Sequence, residues 1–494
     1  MLVPYLALTL AQSRPPVALQ DVFGRDLAKP GVTLIDWEGR IANPAIRLRL
    51  VPSEKLYLPA RVKLTANHPR MMFNLWSEVS STGPTKILYL DQKSKPVPFL
   101  MSIFPDTDGI NDLATLKVEI TDANESTTTL EFPVKVLDQD QPDRAIDFPI
   151  VTDFSQDRSG FFADPKAKEL AETAAKDWAY FLEAPVFDPV PAGAETSFIY
   201  EPNGFERGQT VTNAQPYTGF LLYFVGVTGP EKRSGAVASD VGTSQMIKGR
   251  KTGLRRSGTV AMETTGNYNA KGWQFLAPDE AWWEAGNMST MVADFFSIVH
   301  HEMGHSLVNH RVHPAYNAKI KEGRFVDPTL RRYSGNDEDP RILDVEHFFE
   351  SIDSVSRVGA FGNEYGGDMP RKRWLITKFD LLVMQSIGYR LRETTPFERL
   401  SFDVPTAPVR LAVGEAVDLD LSPSGGIPTY NVKVFDGKLP DGLTLDPWTG
   451  RITGTPKTLG DTSATVQLRD NDPTRLPISK SLKFSVLPVG QARG

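Results

Sequence analysis

His301-Glu302-x-x-His305 places two imidazoles four residues apart with a carboxylate next to the first. On an α-helix that spacing stacks both rings on one face, one turn apart, so that two neutral ring nitrogens reach a single metal ion. Glu302 then points toward the side where a water would approach. The arrangement suits zinc, which takes histidine nitrogen at about 2.0–2.1 Å and in catalytic sites keeps one position open. The expected chemistry is hydrolysis: zinc polarises a carbonyl and activates water, and Glu302 serves as general base, passing the proton to the leaving amine.

A catalytic zinc needs a third protein ligand, and seven histidines in 494 residues make the search short. His68 lies far upstream before a proline and reads as a loop residue. His300 sits about 100° around the helix from His301, and His310 about 140° off the ligand face. His313 precedes Pro314 in the exit loop. His347 is left, in Asp344-Val-Glu346-His347-Phe-Phe-Glu350, where Glu350 and Glu346 are competing oxygen ligands.

The helix that carries the motif is expected from Met288 to about Asn309, with Met291, Val292, Phe295, Ile298, Val299, Met303 and Leu307 at helical spacing. Asn287 or Ser289 is placed to cap its start, and Pro314 limits its end. Upstream, Asp164-Pro165 opens a helix running to about Leu182. Phe148–Asp153, Phe198–Tyr200, Phe220–Gly226 and Gly258–Met262 read as strands. A last helix spans Thr377–Ile387, closed by Gly388. Trp282-Trp283 could line a cleft, although core packing is the ordinary use of such a pair.

The flanking regions read as β-structure. Before a polar linker at Asp138–Asp143, short alternating runs (Ile46–Val51, Leu56–Leu58, Lys86–Leu90, Leu116–Ile120, Leu130–Val136) argue for an antiparallel sandwich over 16–142. Within it, Asp106-Thr-Asp108-Gly-Ile-Asn111-Asp112 could hold calcium. It lacks the closing glutamate of an EF-hand loop, and an Asp/Gly-rich turn is the favoured reading. From 397 onward, Leu439-Pro-Asp-Gly-Leu443 and Gly450-Arg-Ile-Thr-Gly454-Thr-Pro456 punctuate another set of strands, ending in Ser463–Asp470 and Ser481–Val486.

Two resemblances follow from these motifs. Residues 405–487 resemble the immunoglobulin/cadherin-like repeat of bacterial surface and secreted proteins, which implies an extracellular β-sandwich without catalysis. His301-Glu302-x-x-His305 behind a strand-rich half-domain resembles the zincin metallopeptidases. The compact metzincin pattern would need glycine at 308 and histidine or aspartate at 311, where this chain has Val308 and Arg311. The leishmanolysin-like type, with a distant third histidine and a methionine turn after it, is more similar over 144–395. That resemblance implies zinc held by His301, His305 and His347, which comes 42 residues after His305, with Met369 packed beneath. Tyr365 is then a candidate donor to the developing oxyanion. A gluzincin-like assignment would instead use Glu350 as ligand, with Asp353 behind it.

The resulting expectation is a multidomain α+β chain: a signal segment at 1–15, a β-sandwich at 16–142, a zincin-like α+β peptidase domain at 143–396 and an immunoglobulin-like β-sandwich at 397–494. The expected function is that of a secreted or cell-surface bacterial zinc endopeptidase acting on protein or peptide, with the β-sandwiches binding a surface, polysaccharide or protein. The alternative is a surface binding or adhesion protein whose zinc domain is inactive or structural; a zinc hydrolase of another amide is a weaker option. Net charge −7 without a basic run argues against a nucleic-acid partner, and no apolar stretch nears 18 residues. Cysteine is absent, which removes disulfides and thiolate ligands together. Leu2–Ala11 is apolar with a small-x-small end but has no basic n-region.

Overall fold

The computed structural model describes residues 15–75, 83–183, 187–203, 206–228, 236–240, 244–265, 272–281, 293–308, 313–334, 338–342, 346–348, 360, 373–393, 399–471 and 476–492. Of the expected signal segment at 1–15, only Pro15 is among them.

Residues 17–138 form a β-sandwich. One sheet orders Val17–Asp21, Ile46–Pro52, Val97–Ile103 and Met71–Asn74. The other orders Val32–Asp36, Thr127–Asp138, Asp112–Thr121, Ala60–Ala66 and Thr85–Leu90. Alternation drives the pairing. In Thr85–Leu90 the residues alternate exposed and buried, and Lys86, Leu88 and Leu90 turn inward. Leu56–Leu58, expected as a strand, is irregular, and the strand lies just after it at Ala60–Ala66.

The central stretch has one four-stranded sheet, ordered Ile150–Asp153, Phe220–Val227, Ser257–Glu263 and Ala236–Asp240. The first three strands run parallel and the last antiparallel. Phe220–Val227 is buried throughout, as a central parallel strand requires. Helix α1 (Pro165–Tyr180) starts at Asp164, whose side chain accepts from the Lys166 amide. Helix α2 (Phe295–Leu307) packs against α1 and the sheet.

Strand makes up 44% of the structure and helix 13%, so the chain is largely β, and the expected α+β class with a central zincin-like domain is corrected. The reason lies in where the central backbone places its hydrogen bonds. It closes into two-stranded ribbons, among them Glu195–Tyr200 with Arg207–Thr212 and Ser244–Ile247 with Arg250–Arg255. The helix expected from Met288 begins only at Phe295, because Ala293–Asp294 pairs as a strand with Trp273–Gln274 and Asp294 becomes the cap. Among the described residues only α1 and α2 reach three turns.

The C-terminal region is a second sandwich. Four strands (Val409–Ala412, Ile478–Leu487, Gly460–Arg469, Asn431–Gly437) face three (Val417–Asp420, Arg451–Gly454, Leu443–Leu445) across a core of its own. The first sandwich is less self-contained. Its Ile35, Trp37 and Ile41 belong to the core that contains α1 and α2.

Candidate metal centre

The beginning of α2 is held rigidly before any ligand is reached. Asp294 accepts from the Ser297 amide and hydroxyl, and Arg373 grips the same carboxylate through Nε (2.9 Å) and Nη2 (3.0 Å). The Ser297 hydroxyl oxygen accepts the Trp374 amide at 2.8 Å. Both members of the Arg373–Asp294 pair are buried. Arg373 also donates to the Leu276, Pro278 and Glu280 carbonyls, so its charge is fully used.

One turn further on, the structure brings His301, His305 and His347 together. Their ligand nitrogens lie within 4.8 Å of one another. Nε2 of His301 is 3.1 Å from Nε2 of His305 and 3.3 Å from Nε2 of His347. Tetrahedral zinc with ligand bonds of about 2.05 Å separates two nitrogens by about 3.3 Å, so both spacings match an edge of that tetrahedron. The His301 ring is also set in the ligand tautomer. Its Nδ1–H donates to the Ala360 carbonyl at 2.7 Å, leaving the lone pair on Nε2, and Trp374 packs edge-on against it. Burial, with His305 and His347 beside it, holds the His301 pKa well below the usual histidine value, against the opposing pull of the Ala360 carbonyl. The imidazole therefore stays neutral and ready to coordinate. The donor set fits a zinc ion.

Glu302, next to His301 in sequence, is 3% exposed, and His305 and His347 are 6% and 9% exposed. Glu346 is half-buried and is not among the residues that converge. Glu350, Asp353, Tyr365, Met369, Trp282, Trp283, His310 and Arg311 lie outside the described residues. The remaining histidines are placed elsewhere. His300 turns its Nε2 to Asp177 Oδ2 at 3.1 Å, and His313 caps the short helix Pro314–Asn317. His68 accepts from the Arg70 amide and lies 3.4 Å from Asp112. Sequence reading missed the Ala360 carbonyl, a main-chain group without any residue-type signal, and the buried contacts of His300.

A second convergence gathers Asp36, Asp106 and Asp138. A guanidinium supplies positive charge to two of the three. Arg70 pairs with Asp36 at 2.9 Å, Asp106 at 2.5 Å and Asp112 at 2.8 Å. Burial is the main cause pushing Asp36 up to about 7, partly offset by Asn43 and Arg70. It pushes Asp106 up to about 6 and Asp140 to about 8. In the turn considered for calcium, Asp106 and Asp112 both pair with Arg70.

A family profile described as "Putative Ig domain" matches residues 400–486. The C-terminal sandwich is therefore an immunoglobulin-like domain. No curated protein matches the chain. Among solved structures, a "putative alpha-galactosidase" from Bacteroides fragilis is similar at 23% identity over 18% of this chain and 17% of its own, with a TM-score of 0.15. A PapD-like domain of human CEP192 is similar at 12% identity over 28% of this chain and 99% of its own, with a TM-score of 0.20. A conjugative transposon lipoprotein from Bacteroides eggerthii is similar at 10% identity over 24% and 96%, with a TM-score of 0.17. This chain spans 17% of the length of that "putative alpha-galactosidase" and 17% of a "putative alpha-galactosidase/melibiase" from the same organism. Similarity at these TM-scores carries no argument about function.

Proposed function

We propose that the chain is a zinc-dependent hydrolase of peptide bonds acting outside the bacterial cell, with the immunoglobulin-like domain as a non-catalytic module. The observation that carries this reading is the convergence of three imidazoles, with His301 Nε2 at tetrahedral-edge spacing from Nε2 of both His305 and His347, and Glu302 adjacent in sequence to His301. The reading rests on the side-chain constellation and not on the fold. A zinc ion bound there would supply Lewis acidity toward a carbonyl oxygen and make water nucleophilic near neutral pH. The chain's own part is then positional. His301, His305 and His347 hold the site, and the Ala360 carbonyl keeps His301 in the correct tautomer. Glu302 accepts the proton released in attack and returns it to the departing amine nitrogen. The placement outside the cell is supported by the immunoglobulin-like domain. No helix among the described residues is long and apolar enough to cross a membrane.

A second reading has one observation in its favour. The ligands and Glu302 are almost sealed from solvent, as in a structural zinc site, and the chain would then be a surface binding or adhesion protein. Peptide-library cleavage separates the two. The hydrolase reading expects chelator-sensitive cleavage that Glu302→Gln lowers by at least about 10²-fold while zinc content is retained. A wild type that carries zinc and cleaves nothing supports the structural reading.

A further inference from the structure

Arg40 belongs to the first β-sandwich, yet its guanidinium lies beside α2. Nη1 donates to Asp177 Oδ1 at 2.6 Å, and the other oxygen of Asp177 lies 3.1 Å from His300 Nε2. With a carboxylate as acceptor, that ring nitrogen carries the proton. His300 immediately precedes His301. The same guanidinium holds Asp279 through Nε (3.2 Å) and Nη2 (2.6 Å) and lies 5.9 Å from the centroid of the Phe296 ring. The Phe296 ring packs edge-on against His300, with centroids 4.3 Å apart. Trp178 adds a bond from its indole nitrogen to the His300 carbonyl.

The loop that delivers Arg40 is built to do so. Asn43 ties the Trp37 amide to Asp36, Asp140 accepts the Gly39 amide at 2.6 Å, and the Ala42 amide donates to Ile376 at 2.8 Å. Gly39 has φ 81°, and a Cβ there would lie 2.7 Å from Phe181. Such close approach lets the loop enter between α1 and the segment before the last helix.

We propose that Arg40 is a positioning residue for the metal helix. Through Asp177 and His300 it fixes the rotation of α2 about its own axis, so that His301 and His305 present Nε2 toward His347. The inference rests on the zinc reading of the site. A buried ion-pair chain has few alternative geometries, because any displacement strands a charge. Outer partners of this kind set the orientation of metal ligands, and their loss typically weakens metal binding 10–100-fold.

The test uses the full chain. Zinc affinity is measured by chelator competition, site geometry by the visible spectrum of the cobalt-substituted protein, and folding by apo-protein melting. Arg40→Ala is expected to weaken zinc binding by about tenfold or more and to change the cobalt spectrum, with Arg40→Lys recovering part of both. A purely structural Arg40 would lower the apo melting temperature and leave affinity and spectrum at wild-type values, which overturns the proposal. If Arg40→Ala does not fold, Asp279→Asn loosens the same guanidinium from a half-exposed position. A smaller shift in the same direction supports the proposal, and no shift rejects it. Loss of zinc in His301→Ala with wild-type behaviour in the Arg40 variants rejects the positioning role alone. Equal zinc binding by wild type and His301→Ala rejects the metal site and this inference together.

Discussion

The two β-sandwiches of this chain differ in how they are joined to the rest. The C-terminal one closes over its own core and meets the first mainly through polar edges. The Arg47 amide donates to Asn471, Thr429 to Asp21, and Arg25 lies over Trp448. Ile427 is its apolar contact with both other cores. The first sandwich instead inserts Trp37 and Ile41 into the core around α2 and bridges Ile41 to Ile376. Similar layers of strands can thus serve as an appended module or as part of the frame of a site. What distinguishes them is how deeply apolar side chains cross the boundary: Trp37 and Ile41 are buried in the neighbouring core, whereas Ile427 is only half-buried.

Truncation is the strongest way to break this contrast. A chain ending at 396 is expected to fold and bind zinc as the full chain does. A chain starting at 143 is expected to expose the Trp37 and Ile41 pockets and to lose zinc binding; circular dichroism and metal content read both. Single cavities sharpen it. Trp37→Ala and Phe484→Ala each remove a large buried ring at about 3–5 kcal/mol. Differential scanning calorimetry should show Trp37→Ala lowering the transition of the core that holds α2, and Phe484→Ala lowering the C-terminal transition alone.

Two turn glycines make a smaller comparison. Gly39 and Gly414 have φ of 81° and 79°, but only Gly39 is crowded, with Phe181 and Tyr180 within 3 Å of a built Cβ, while Gly414 faces open space. Alanine at 414 should cost the backbone strain alone, about 1 kcal/mol. Alanine at 39 should cost more by about 1–3 kcal/mol of overpacking, read by urea unfolding.

The least effect is in pH. Asp36, Asp106 and Asp140 retain protons in the fold at pH values where the unfolded chain, near 3.8, has lost them. The folded state therefore binds more protons between about pH 4 and 8, and stability is lost as pH rises through that window. Asp140→Asn should flatten the slope and raise the melting temperature at pH 8 by about 3 °C. An unchanged slope would remove Asp140 from the cause.

The readable parts of the sequence were the local ones. Asp164-Pro165 marks the start of α1 because capping is decided within four residues, and the alternating runs Leu130–Val136 and Ser463–Asp470 fall on the strands Thr127–Asp138 and Gly460–Arg469. Counting histidines pointed to His347, and the fold brings its ring to those of His301 and His305. The fold class was misread because helix and strand in the central stretch are decided by pairing partners. Ala293–Asp294 takes its strand from Trp273–Gln274, which no periodicity reveals. Arg40 carried no signal beyond an arginine between Gly39 and Ile41, since its carboxylate partners lie more than a hundred residues away.

The central claim is that His301, His305 and His347 hold one metal ion. Zinc content of the purified full chain, compared with His301→Ala, His305→Ala and His347→Ala and with melting of each apo form, tests it most directly. The account predicts about one zinc per chain in the wild type and loss in all three variants while each still folds. Full zinc in folded His347→Ala would contradict it.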